Sequence, residues 1–312
     1  MRFNMRKRSA FTLTELLVVI AIIGMLAALV TVAARAAMAA ARRGVIKMEL
    51  TQLDMALEQY KNKYGEYPPD GTDSAAVVRH LRKCFPNASL PNEQDIVGMF
   101  PCAKRCDGEH EHQHAAEEAG IVRRTLTPAS ALVLFLGGNL AKNPIDPLSL
   151  AGDRVDAFYE FKPSQLGDDE DRTDAVYYPS GMERDRTAPF VYFKARLLGD
   201  AGVYATVVNK KETPLSFTTA NAGVAVPYAD GTPNPDNLSG AGTGDLTKWR
   251  NATKYQIVTA GLDGLFGAQG LLGSRTSNYG APEIEGAFQW DEAVYDNLTN
   301  FAAGTLGDEL EE

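Results

Sequence analysis

The sequence predicts an α+β chain in which one long N-terminal α-helix, membrane-spanning in its first half, packs on an antiparallel β-sheet domain. Three observations predict it. An uncharged, mostly apolar run covers Leu16–Ala34. A stripe of apolar residues at helical spacing follows it as far as Tyr64. Later in the chain, short strand-like segments alternate with loops rich in Gly, Pro, Asn and Asp.

The apolar run comes first because it limits everything after it. About 20 apolar residues in a helix cross roughly 30 Å of hydrocarbon, so Leu16–Ala34 can span. Arg2, Arg6, Lys7 and Arg8 precede the run, and the first ten residues hold no acidic side chain. That bias places the N-terminus in the cytoplasm and everything after Arg35 across the membrane. A generic secretory signal shares the basic start and apolar centre, and Ala39-Ala40-Ala41 could precede its cut. Its apolar part is shorter, however, and it has no use for Glu15. A carboxylate at the start of an apolar block costs free energy in lipid unless it is paired.

The stretch Ser9-Ala10-Phe11-Thr12-Leu13-Thr14-Glu15-Leu16-Leu17-Val18-Val19-Ile20-Ala21-Ile22-Ile23-Gly24 resembles the class III signal of type IV pilins and type II secretion pseudopilins. The resemblance implies cleavage by prepilin peptidase between Ala10 and Phe11, then methylation of the new Phe11 amine. Glu15 becomes the fifth mature residue and pairs with the Phe11 amine of an adjacent subunit, which offsets its desolvation and fixes the axial register. Two positions depart from the family pattern: Ala10 stands where Gly is usual, and Thr14 where Ile is common. The implied plan is pilin-like. It comprises a basic leader at 1–10, a transmembrane half-helix at 11–34, an amphipathic half-helix at 35–64 and an extracytoplasmic α+β domain at 65–312. The implied location is the bacterial inner membrane. The implied partners are other pilin or pseudopilin subunits in homo- or hetero-oligomers, the peptidase, the inner-membrane assembly platform and the lipid bilayer.

Beyond the span, Ile46, Leu50, Leu53, Leu57, Tyr60 and Tyr64 recur at spacings of three and four, one continuous stripe. Lys47, Glu49, Gln52, Asp54, Glu58 and Lys61 take the polar positions. Gly65 offers a residue that tolerates positive φ, and Pro68-Pro69 prevent continuation. A helix from Phe11 to Tyr64 is about 81 Å long. The segment Gln59–Pro68 also resembles the helix exit of the type II secretion major pseudopilin.

Residues 71–124 read as an irregular, polar insertion. Within it Cys102 and Cys106 precede His110, His112 and His114, which are zinc-ligand types. A Cys102–Cys106 disulfide with Cys84 left over is the alternative, and so is neither. Thr127-Pro128 opens a short helix, and Ala131–Leu136, apolar all round, reads as a buried core helix ended by Gly137-Gly138. Strands are expected at 155–161, 175–178, 189–198, 202–208 and 253–259. In the third, Val191, Phe193, Ala195 and Leu197 alternate with Tyr192, Lys194 and Arg196, as for a sheet with one buried face. The acidic run Asp168-Asp169-Glu170-Asp171 reads as a solvated loop.

Near the C-terminus, Ala260–Gly267 and Asp296–Phe301 are similar to the C-terminal loop of the major pseudopilin. That resemblance implies bound calcium, with Asp263 and Asp296 as ligands and Asn297 next. A plain glycine turn after the strand at 253–259 is the alternative.

A formal net charge of −9 argues against non-specific nucleic-acid binding. Losing residues 1–10 leaves 27 basic against 40 acidic residues, a formal −13. There is no GxSxG, P-loop, GxGxxG or HExxH pattern, and no catalytic residue is nominated. The expectation is a structural, non-enzymatic subunit that polymerises into a secretion pseudopilus or pilus-like filament. The alternatives are a signal-anchored enzyme or ligand-binding domain, or a minor tip pilin that contacts cargo.

Overall fold

The computed structural model describes residues 13–84, 86, 126–137, 139–140, 154–168, 175–182, 187–208, 211–219, 222–229, 248–266 and 296–306. Ala10, Phe11, Cys102, Cys106, His110, His112 and His114 lie outside the described residues. The chain forms two compact units, Met1–Gly44 and Val45–Glu312.

Helix α1 spans Leu13–Tyr64 and contributes to both units. In the first unit its side chains from Leu13 to Met38 are exposed along the whole apolar run. In the second unit the stripe is buried: Ile46, Leu50, Leu53, Leu57 and Tyr60 are all within the core. The helix stops as its sequence dictates. Gly65 adopts φ +80° and returns its N–H to the Lys61 carbonyl at 2.7 Å.

Helix α2, Ser74–Cys84, corrects the irregular reading of this stretch. Val77, Val78, His80 and Leu81 are buried on one face, while Arg79, Arg82 and Lys83 stay outside. Its basic polar face disguised an ordinary amphipathic helix. Helix α3, Ser130–Leu136, is buried as its all-apolar sequence predicts, and Ser130 N–H donates to the Thr127 hydroxyl at its start.

The strands are short and antiparallel. Hairpins β1 (Asn139–Leu140) with β2 (Arg154–Val155), β3 (Leu166–Asp168) with β4 (Ala175–Tyr177) come first. The main sheet has the order β13-β12-β5, from β5 (Val191–Lys194), β12 (Tyr255–Thr259) and β13 (Leu298–Thr299). Between them in sequence lie three more hairpins: β6 (Arg196–Leu198) with β7 (Ala201–Val203), β8 (Ala205–Val208) with β9 (Lys211–Pro214), and β10 (Phe217–Thr218) with β11 (Val224–Ala225).

The one-buried-face expectation for β5 is corrected. Val191, Tyr192 and Phe193 are all buried. Tyr192, with Tyr255, Ile257 and Leu298, packs into a core shared with α1, α2 and α3. Val191 and Phe193, with Val258, pack into a second core built from Tyr204, Phe217, Trp249, Phe266 and Leu306. The main sheet therefore lies between two cores, so side chains pointing either way along a strand are covered. At roughly 1.5–3 kcal/mol per fully buried large side chain, both cores are substantial contributors. The outcome is an α+β fold with a pilin-like layout: a long N-terminal helix and antiparallel sheets.

Candidate functional site

Two regions carry the chemistry the sequence singled out. The first is the N-terminal half of α1. Among the described residues α1 is the one helix long and apolar enough to cross a membrane. Leu16, Leu17, Val18, Val19, Ile20, Ile22, Ile23, Leu26 and Leu29 are each about half exposed or more. A continuous surface of this kind is unstable against water and requires lipid or protein around it. Inside it the one hydroxyl, Thr31 Oγ, donates to the Ala27 carbonyl at 2.7 Å, so it presents no unsatisfied donor. Glu15 sits in the first turn of α1, where a carboxylate is favoured by the helix dipole. Its side chain is exposed.

The second region is the C-terminal turn. The structure brings together the two loops that sequence reading paired. The Leu262 N–H donates to Asp296 Oδ2 at 2.9 Å, and the Gly261 N–H donates to Asn297 Oδ1 at 3.2 Å. Gly261 lets the Asp296 carboxylate sit close: a Cβ there would lie 1.9 Å from it, so a larger residue would displace the carboxylate. Asn297 is fully buried, and its amide nitrogen donates to the Tyr228 hydroxyl and to the Phe266 carbonyl at 2.9 and 3.0 Å. Asp263 is exposed, and its Oδ1 accepts the Leu265 N–H at 2.8 Å. The donor set near this turn is oxygen-only, the chemistry calcium prefers. Among the described residues no group of three or more His, Cys, Asp or Glu converges to hold a metal.

The polar face of α1 in the second unit carries the surprises. Glu49 is buried rather than solvated. Its carboxylate accepts from Lys162 Nζ (3.1 Å), Gln165 Nε2 (3.1 Å), the Ser180 N–H (3.0 Å) and the Ser180 hydroxyl (2.5 Å). Lys47 Nζ donates to the Thr299 and Ala302 carbonyls. Asp54 Oδ1 accepts from the Tyr255 hydroxyl at 2.7 Å and Asn300 Nδ2 at 3.1 Å. Glu58 accepts from Tyr67 and Lys254. These groups clasp α1 to β12, β13 and the turn after β4. No local sequence signal marks them, because their partners lie more than a hundred residues away in most cases.

A buried polar chain also joins α1 to α2. His80 Nδ1 lies 2.7 Å from Glu66 Oε1, and His80 Nε2 lies 2.7 Å from the Tyr60 hydroxyl. Glu66 only accepts, so Nδ1 carries the proton and Nε2 accepts from Tyr60. Burial holds the His80 pKa below its ordinary value, against the opposing pull of Glu66. Burial and nearby Glu66 push the Cys84 thiol up to about 11, which keeps it protonated and unreactive.

Comparison with known proteins adds one positive finding. The model of the prokaryotic N-terminal methylation motif matches residues 5–31, the span holding Ala10, Phe11 and Glu15. The chain matches no curated protein and no solved structure. An exposed apolar helix with Glu15 in its first turn, preceded by a basic segment and inside this motif, leads to one assignment: the chain carries the N-terminal signal of the type IV pilin and pseudopilin family.

Proposed function

We propose that this chain is a structural subunit of a pilus-like filament, either a type II secretion pseudopilus or a type IV pilus. It is cut by prepilin peptidase between Ala10 and Phe11, methylated on Phe11, held in the bacterial inner membrane by residues 11–34, and polymerised. Its N-terminus starts in the cytoplasm and its body lies on the far side. The observation that carries this reading is Glu15 at the start of the exposed apolar run, inside the methylation motif. A mere anchor gains nothing from a carboxylate there. An assembling helix gains a partner for the Phe11 amine of its neighbour. The role is structural, and no catalysis is assigned.

The test is Glu15→Leu. Removing the carboxylate leaves a buried amine unpaired, a loss of about 3–5 kcal/mol at every subunit contact. The variant should be cleaved and inserted normally yet be missing from sheared or sedimented filaments. Normal incorporation of Glu15→Leu would sink the assembly reading.

Calcium at the C-terminal turn is part of the same proposal. Asp263 and Asp296 would hold the ion with backbone carbonyls, with Asn297 beside them. What supports it is the close seating of the Asp296 carboxylate against the Gly261–Leu262 turn, where it accepts the Leu262 N–H at 2.9 Å. The ion would lock the turn that leads into β13. Zinc at Cys102, Cys106, His110, His112 and His114 rests on residue type alone, with a Cys102–Cys106 disulfide as the alternative.

A further inference from the structure

The pattern Asn-X-Ser/Thr, with X other than proline, occurs at Asn87, Asn237, Asn251 and Asn297. It is the acceptor pattern for a glycan joined to asparagine nitrogen. Asn87 and Asn237 lie outside the described residues. The other two carry the same pattern in opposite surroundings.

Asn297-Leu298-Thr299 is committed to the fold. Asn297 and Thr299 are both fully buried. The Asn297 amide nitrogen donates to the Tyr228 hydroxyl and the Phe266 carbonyl, and Thr299 Oγ1 accepts the Ala302 N–H at 3.2 Å. Neither group is reached without pulling β13 out of the sheet.

Asn251-Ala252-Thr253 stands in the turn that leads into β12, and Asn251 and Thr253 are both exposed. Asn251 takes φ +48°, a left-handed conformation in which asparagine is enriched. Its backbone is tied down, because the carbonyl accepts from the Tyr204 hydroxyl at 2.6 Å and from the Lys254 N–H at 2.9 Å. Its carboxamide and the Thr253 hydroxyl make no hydrogen bond to any described residue. A fixed turn therefore presents to solvent both side chains that define the acceptor pattern.

The surroundings give such a glycan something to cover. Leu197 of β6 pairs with Gly202 of β7, so both look to the same side of that hairpin. Ala252 lies on that side: a Cβ on Gly202 would be 1.7 Å from the Ala252 carbonyl oxygen. Leu197 is 77% exposed, more than any other large apolar side chain among the described residues of the second unit. A saccharide on Asn251 stands beside it.

We propose that Asn251 is a glycosylation site that receives an oligosaccharide from a polyprenyl-diphosphate carrier. Asn251 Nδ2 forms a bond to the anomeric carbon of the first sugar. The bond from that carbon to the carrier breaks, the diphosphate leaves with the electron pair, and the amide gives one proton to a base on the transferase. The Thr253 hydroxyl is the group by which the transferase recognises the acceptor. The inference rests on the reading above that the body lies on the far side of the membrane.

The experiment takes the full chain from membranes of its own host and maps the chymotryptic peptide Arg250–Tyr255 by mass spectrometry. In the same cells, protease added outside spheroplasts reads which side the body occupies. The expected result is a body open to protease and a peptide that carries saccharide mass on Asn251. Thr253→Ala should abolish that mass and Thr253→Ser should keep it. Thr253 is exposed and holds no described partner, so neither change threatens the fold. A protease-open body with a bare Asn251 overturns the inference and leaves the topology standing, and so does saccharide that survives Thr253→Ala. A body closed to protease overturns both.

Discussion

Glu49→Ala is the most informative single change in the second unit, because one buried carboxylate joins α1 to two distant segments. Four donors reach it. They do not contribute equally. The Lys162 side chain is 58% exposed and turns to water when released, so its share is small. The Ser180 hydroxyl rotates to another acceptor. Gln165 keeps the Tyr178 carbonyl as a partner for its amide but loses one of its two acceptors. The Ser180 N–H loses its carboxylate and remains half-enclosed. Two poorly satisfied donors at about 1–2 kcal/mol each, plus a small cavity, give roughly 3 kcal/mol. For a unit of this size that lowers the melting temperature by about 6–12 °C. The measurement is thermal unfolding of the full chain in detergent. Glu49→Gln, which retains one acceptor, should lose about half as much, and Lys162→Ala within about 0.5 kcal/mol of nothing. A Glu49→Ala midpoint unchanged from wild type would refute the claim that this carboxylate holds helix and body together.

Further expectations concern the buried histidine and the C-terminal turn. His80 titrates below its unfolded value, so the unfolded chain binds more protons between the two. Its contribution to stability is complete above about pH 6.5 and is lost as pH falls through that value toward the folded pKa. Glu66, whose pKa is lowered because the His80 hydrogen bond and nearby lysines outweigh its own burial, adds a second loss below about pH 4.5. Urea unfolding at pH 7.5, 6.0 and 5.0 should show the first loss in wild type and not in His80→Asn, and a pH-independent wild type would contradict the assignment. Calcium should raise the melting temperature, and Asp263→Ala with Asp296→Ala should abolish the rise. Gly261→Ala should displace the Asp296 carboxylate, cost roughly 1–3 kcal/mol and remove the same response. Wild-type melting that ignores calcium retires the site.

What the sequence disclosed depended on whether the signal was local. The stripe from Ile46 to Tyr60, the Gly65 stop and the buried Ala131–Leu136 helix each follow from spacing and residue type within a few turns, and each is present. Strands at 175–177, 191–194 and 255–259 fall inside the expected segments. Alternation misread β5, because a polar Tyr192 hydroxyl buries against the Pro68 carbonyl at 2.8 Å and so satisfies itself inside the core. Helix α2 lies where the sequence reads as an irregular insertion, although Val77, Leu81 and Cys84 carry a helical period, because basic residues fill its other face. Lys47 and Glu49 stand at polar positions of the helix in the sequence, and periodicity reports where apolar groups lie, not which distant donors converge on a charge. The two loops of the candidate calcium site were paired by resemblance, and Asp296 does bond the Gly261–Leu262 turn.

Mass spectrometry of the mature N-terminus, on chain recovered from the membrane of cells with prepilin peptidase, bears most directly on the central claim. The motif at residues 5–31 and the placement of Glu15 at the head of the apolar helix lead to one product. The chain should begin at Phe11 and carry one methyl group on its amine. A chain that begins after Ala41, or one that retains Met1, would contradict the account at its root.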